Sequence, residues 1–207
     1  DPDAMGSSAV GDIGEKSQNF TSLMHNIIDQ MLLGLKAKPA VEEAIRILKA
    51  GTKDNEQVVL TVSNTMGSFI DEYAKATETP VGSEFNASFG DLLIRYLYKT
   101  RLYKVRQEGN AEPEEHWLSD EEIGPDATRA YNALVKKISS TDFSAIPVSP
   151  VDYLLNELNL AGFPALEITG RDMYVDYSSG RPILAARPAR EKSVDGRTAT
   201  IKAFNNG

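Results

Sequence analysis

Residues 163–207, FPALEITGRDMYVDYSSGRPILAARPAREKSVDGRTATIKAFNNG, decide how this chain is read. Residues 164–168 form a short apolar run of the kind that makes a strand, and Gly170 turns the chain out of it. A charged segment follows, and Arg197 falls on a predicted short helix that ends in Phe204, Asn205, Asn206 and Gly207. Arg171, Arg181, Arg187, Arg190, Lys192 and Arg197 make this the one basic stretch of an acidic chain. Two readings of that cluster stay open. It can hold phosphates through sequence-independent backbone contacts, or it can be a solvated β-hairpin and loop whose arginines pair with the acidic segment.

Upstream, residues 57–63 (QVVLTVS) are short, β-branched and apolar, which predicts a strand buried on both faces as in a parallel sheet. Asn64, Thr65, Met66 and Gly67 turn the chain into a predicted helix over 68–76, completing half of a βαβ crossover. A polar turn at the carboxyl end of a parallel strand is where open α/β sheets place ligand contacts. Asn64 and Thr65 can equally cap the next helix through their side-chain oxygens.

Five further helices are expected. Over 17–35, Phe20, Leu23, Met24, Ile27, Ile28, Met31, Leu32 and Leu35 keep the three-four spacing of an amphipathic helix. Gly34 and Pro39 punctuate its end, and a second helix is predicted over 39–50, stopped by Gly51. Between 77 and 149 the pattern changes: a helix over 88–103, an acidic loop over 107–122 anchored by Trp117 and Leu118, and a helix over 125–138. Pro150 opens one more helix, which Gly162 closes.

Composition narrows the classes. With no cysteine, disulfides and Cys-ligated metal centres are excluded, and His25 and His116 have no metal-ligand spacing. No apolar run reaches the roughly 18 residues of a membrane span, so no membrane partner is expected and the location reads as intracellular. A net charge of −8 argues against a free-standing nucleic-acid binder, although a lobe of a larger motor can bind through one local face. Residues 1–16 are read as an expression scar or flexible leader. Within them Gly11, Gly14 and Lys16 imitate a phosphate loop, but Glu15 stands where glycine is required. Asp71 and Glu72 imitate a magnesium-holding pair yet fall on a helix, and the sequons at Asn19 and Asn86 are chance matches to a short pattern.

Three segments together resemble the second RecA-like lobe of superfamily 2 helicases, in particular the strawberry notch group and its bacterial and phage relatives. They are VVLTVSNTMGSFIDEYA from Val58, FGDLLIRYLYKTR from Phe89 with VSPVDYLLNEL from Val148, and the G…R…FN-G order of Gly170, Arg171, Arg197 and Phe204. The resemblance implies an α/β fold: a partial RecA-like parallel sheet flanked by helices, with a mostly helical insertion. Its divisions would be the leader at 1–16, the opening of the lobe at 17–76, the insertion at 77–149 and the continuation at 150–207. It implies an ATP-driven motor on nucleic acid, DNA more than RNA, in which Asn64, Thr65, Gly170 and Arg171 face the backbone. Arg171 and Arg197 would contact phosphate or pair across lobes. ATP and magnesium belong to the parent protein, and no catalytic, cofactor or metal residue is expected in this chain. The partners implied are nucleic acid, a first helicase lobe, and a protein bound by the insertion. The pattern stops before the ATP-sensing strand, so the chain reads as a fragment that is not competent alone. The rival reading is a protein-interaction module with motor-like architecture only.

Overall fold

The computed structural model describes residues 6–51, 57–105 and 114–206, with side chains from 21 onward apart from 104, 105 and 114. It is a mixed helical and β structure in which every named strand belongs to a two-stranded antiparallel hairpin. The chain divides into two compact units, Asp1–Ile28 with Phe89–Phe143, and Asp29–Ser88 with Ser144–Gly207. No helix among the described residues is long and apolar enough to cross a membrane.

Helix α1 runs unbroken over Gly6–Ala50 with Pro39 inside it, so the two helices expected over 17–35 and 39–50 are one. A proline in a helix interior removes one backbone hydrogen bond and crowds the carbonyl four residues back, at a cost of about 3 kcal/mol, and α1 nevertheless continues through Pro39. Residues 6–16, expected as a flexible leader, are part of the same helix, and the Gly11–Lys16 stretch therefore forms no phosphate-cradling loop.

In the first unit, α3 (Phe89–Lys99) packs on α4 (Asp120–Ser139), with a hairpin of β1 (Leu102–Val105) and β2 (Glu114–Trp117) between them in sequence. Phe89 and Leu92 are buried, and the Phe89 and Phe143 rings lie 6.1 Å apart. The helix expected over 88–103 stops at Lys99. There the Thr100 hydroxyl donates to the Leu97 carbonyl, and pairing of Leu102 with Trp117 takes the chain into β1. The end of the expected acidic loop is likewise structured. Glu114–Trp117 is a strand, and Ser119 caps α4 in a capping box with Glu122. Gly124 at φ 80° kinks α4 just before Pro125, the residue at which the predicted helix begins. Of the expected loop, 107–113 lies outside the described residues.

In the second unit the core gathers Ala37, Val41 and Ala44 of α1, Phe69, Ile70 and Ala74 of α2 (Gly67–Ala76), and Val151 and Leu154 of α5 (Pro150–Leu160). Val175 of β3 (Met173–Asp176) and Leu184 of β4 (Ile183–Ala186) complete it. The buried line of α1 is made of small residues, so the chain approaches closely: a Cβ on Gly34 would sit 2.6 Å from Ile146 Cγ2. Residues 82–85 extend the β3–β4 hairpin, with Phe85 N–H donating to the Pro182 carbonyl at 2.8 Å.

The two expected parallel strands do not form a sheet. Residues 57–63 lack a ladder partner among the described residues, and Val59 is 68% exposed rather than buried. Residues 163–170 alternate between half-buried and exposed at every position, the signature of an extended segment covered on one side, with Leu166 and Ile168 facing out. A strand is defined by its ladder, and neither segment has one here.

Candidate nucleic-acid interface

The ends of the two extended segments meet. Asn64 folds back so that its Oδ1 accepts the Met66 N–H at 2.7 Å, and Thr65 Oγ1 accepts the Gly67 N–H at 3.4 Å. Both are two-residue side-chain turns of the kind Asn and Thr form with their own backbone; they lie just ahead of α2, whose N-cap residue, Met66, makes no side-chain cap, so the capping role open to Asn64 and Thr65 is not the one taken. Between them Met66, buried, holds φ 58°, a left-handed conformation uncommon for a non-glycine residue. Gly67 then lets α2 begin against the other segment: a Cβ there would lie 2.9 Å from Arg171 Cβ. The structure thus brings Asn64, Thr65, Gly170 and Arg171 into one neighbourhood.

Arg171 is locked beneath that meeting point. Its guanidinium is 1% exposed and donates to both carboxylate oxygens of Asp152, including Nη1 to Oδ2 at 2.8 Å, and to both oxygens of Glu167. Asp152 also accepts from the Ser149 hydroxyl at 2.5 Å and from the Val175 N–H at 2.7 Å, tying α5 to β3. Arg187, equally buried, donates to Thr169 Oγ1 at 2.9 Å and to Glu167 at 3.3 Å. Burial alone would raise the Glu167 carboxyl, but hydrogen bonds from Arg171 and Thr169 outweigh it and hold the group below the ordinary glutamate range. The same network keeps Arg171 firmly protonated against its own burial. Arg171, expected to face a nucleic-acid backbone, is instead a buried clamp, because two carboxylates compete for its guanidinium at hydrogen-bond distance. The arginines of this stretch that pair internally do so with Asp152, Glu167 and Glu191, not with the acidic segment.

The exposed charge lies beside the clamp. Lys192, at the end of α6 (Ala189–Lys192), pairs with Asp172, the neighbour of Arg171. Arg197 stands on α7 (Val194–Asn206), exposed, and donates Nε and Nη2 to the Lys192 carbonyl at 3.1 and 2.8 Å. Arg197 is thus linked to the meeting point through Lys192 and Asp172. Asp71 of α2 adds a carboxylate whose Oδ1 has no hydrogen-bond partner among the described residues; burial, then the charge of Asp172, raise it against the pull of Lys192.

These residues do not fit an ATP–magnesium site. The Gly11–Lys16 stretch is helical, Asp71 and Glu72 lie within α2, and no group of His, Asp or Glu among the described residues could hold a metal ion. No chemical step is therefore assigned to them.

Asp152, Glu167 and Arg187 went unrecognised as a unit in the sequence. Ser149 and Asp152 carry the S-x-x-D spacing of a capping box, and that signal was present. Comparison with family models, with curated proteins and with solved structures gives no match.

Proposed function

We propose that this chain is part of the second lobe of a superfamily 2 helicase-like nucleic-acid motor, and that its 57–63 and 163–169 segments are strands of that lobe's parallel sheet. The observation that carries the reading is the meeting of the Asn64–Thr65 loop with the Gly170–Arg171 turn at the ends of two extended apolar segments. Loops at strand ends are where open α/β sheets contact ligands. In this reading Arg171 positions the turn from beneath, while Arg197 and its exposed neighbour Arg190 meet phosphates.

The test is binding of a single-stranded oligodeoxynucleotide across a salt series, for the wild type and for Arg190→Ala with Arg197→Ala. The double variant should bind more weakly, with a log–log salt slope shallower by about 0.7 per lost phosphate contact. Equal affinities and equal slopes would remove the interface.

One observation favours a second reading, a protein-interaction module. Met24, Ile28, Leu32 and Leu35 recur at helical spacing on α1 and are each at least 40% exposed. Loss of a protein partner on Leu32→Glu, with oligonucleotide binding absent throughout, would favour it.

A further inference from the structure

The second unit holds a cavity that neither reading uses. Its volume is about 460 Å³, inside the range of roughly 300–1,000 Å³ that small-molecule pockets occupy. α1 contributes Lys38 to its lining. α5 contributes Tyr153, Asn156 and Glu157, which the three-four spacing of a helix puts on one face. Pro147 and Tyr177 add apolar surface, and Tyr177 begins the β3–β4 turn, where Gly180, at φ 77°, donates its N–H to the Tyr177 carbonyl at 3.0 Å.

What the lining offers a ligand follows from which of its groups are already engaged. Lys38 makes no hydrogen bond or ion pair with any described residue, and the Tyr153 hydroxyl likewise has no partner among them. Burial, then the charges of Glu157 and Glu42, hold the Tyr153 phenol above its ordinary value. Burial foremost pushes that of Tyr177 up to about 12. Both phenols are therefore O–H groups at neutral pH. Together with Lys38, Tyr153 gives the cavity two unengaged donors, one of them charged, which suit a carboxylate.

Glu157 supplies the opposite sign. Asn156 Nδ2 donates to its Oε1 at 3.2 Å, which steadies the carboxylate and leaves Oε2 to accept from a ligand. Lys38 and Glu157 line one cavity without pairing with each other, so each charge stays open to a ligand. A purely anionic ligand would meet the repulsion of Glu157 and of Glu42, whose charge reaches Tyr153. A purely cationic one would meet Lys38. A molecule with both charges on one apolar body complements the whole lining.

We propose that this cavity binds a small zwitterion, a free amino acid or a dipeptide, with its carboxylate on Lys38 and the Tyr153 hydroxyl, its ammonium on Glu157 and its apolar body against Tyr177 and Pro147. The site uses none of Asn64, Thr65, Arg190 and Arg197, and stands whether or not the motor reading holds.

The full 207-residue chain is titrated calorimetrically with phenylalanine and with alanylphenylalanine, and with analogues of each whose amine is acetylated or whose carboxylate is amidated. At least one of the two zwitterions should bind, the tighter marking the source. Each analogue should bind about tenfold more weakly than its parent, as loss of one charge-assisted hydrogen bond requires. Lys38→Ala should erase the preference for carboxylate over amide and keep that for ammonium over acetylated amine. Glu157→Gln, which retains an oxygen for Asn156, should do the reverse, and Tyr153→Phe should weaken the parent about fivefold. Circular dichroism melts check that each variant folds. Lys38 is exposed, so its variant is the least able to disturb the fold and carries the comparison even if Glu157→Gln does not fold. Heat from neither zwitterion overturns the proposal, as does a folded Lys38→Ala chain that still prefers the carboxylate by the wild-type factor. Equal binding of a zwitterion and both of its analogues overturns it too. Because Arg190→Ala with Arg197→Ala leaves the cavity intact, it should bind the zwitterion as the wild type does, and failure of one site is distinguishable from failure of the other.

Discussion

Truncating Arg171 would leave Asp152 buried without a cationic partner and Glu167 with Arg187 as its remaining cation. Removing one partner of a buried, hydrogen-bonded ion network costs about 3–5 kcal/mol, most of it the desolvation of the carboxylates left behind. Arg171→Ala should therefore be severely destabilised, while Arg197→Ala, on the exposed face of α7, should stay within about 0.5 kcal/mol of wild type. Urea unfolding of the two variants tests the contrast, and equal midpoints would show that the clamp contributes nothing. The same network sets a pH dependence. In the folded chain the Glu167 carboxyl lies below its ordinary value of 4.5, so the unfolded chain takes up that proton first as the solution is acidified. Its stabilisation is complete above that ordinary value and disappears as pH falls through the lower, folded-state one. Urea midpoints measured from about pH 6 to about pH 3 should fall in that acid window, and Glu167→Gln should flatten the drop.

At the scale of elements, helices were legible where the signal is local. The Pro150 opening and Gly162 close of α5 reappear in the structure within the predicted bounds, and so does α2 after Gly67. What failed was anything decided by contacts distant in sequence. Residues 57–63 have the β-branched composition of a central strand, yet a strand also needs neighbours at hydrogen-bonding distance, and none is paired with them here. Gly34 and Pro39 looked like punctuation, but Gly34 serves a close approach to Ile146 and Pro39 is carried inside α1. The short β1–β2 hairpin lay hidden because its second strand, Glu114–Trp117, is charged and polar, and only cross-strand pairing with Leu102–Val105 makes it a strand. Of the candidate site, Asn64 and Thr65 were readable as backbone-bonding residues from their type alone, but they form turns ahead of α2 instead of capping it. Arg171 was readable as important, but its burial follows from Asp152, 19 residues away, and no local pattern shows that.

For the whole molecule, the net charge of −8 and the exposed apolar segments pull in opposite directions. Self-repulsion at neutral pH keeps copies apart, whereas Val59, Leu60, Leu166 and Ile168 stand exposed on extended segments without a ladder partner among the described residues. Residues 57–63 contain no charge and no proline, the two devices by which exposed strand edges are usually kept from pairing with one another. Near the isoelectric point of about 4.9 the repulsion vanishes while Glu167 is still largely ionised, so the chain should associate before it unfolds. Light scattering at fixed protein concentration should rise on going from about pH 8 to about pH 5 and fall with added Lys side chains in Val59→Lys plus Leu166→Lys. Single lysines at two other exposed positions, Glu121→Lys and Asp126→Lys, change the net charge by more and serve as the control. If the control suppresses scattering as well as the double variant does when each is compared at its own isoelectric point, bulk charge and not the extended segments governs association.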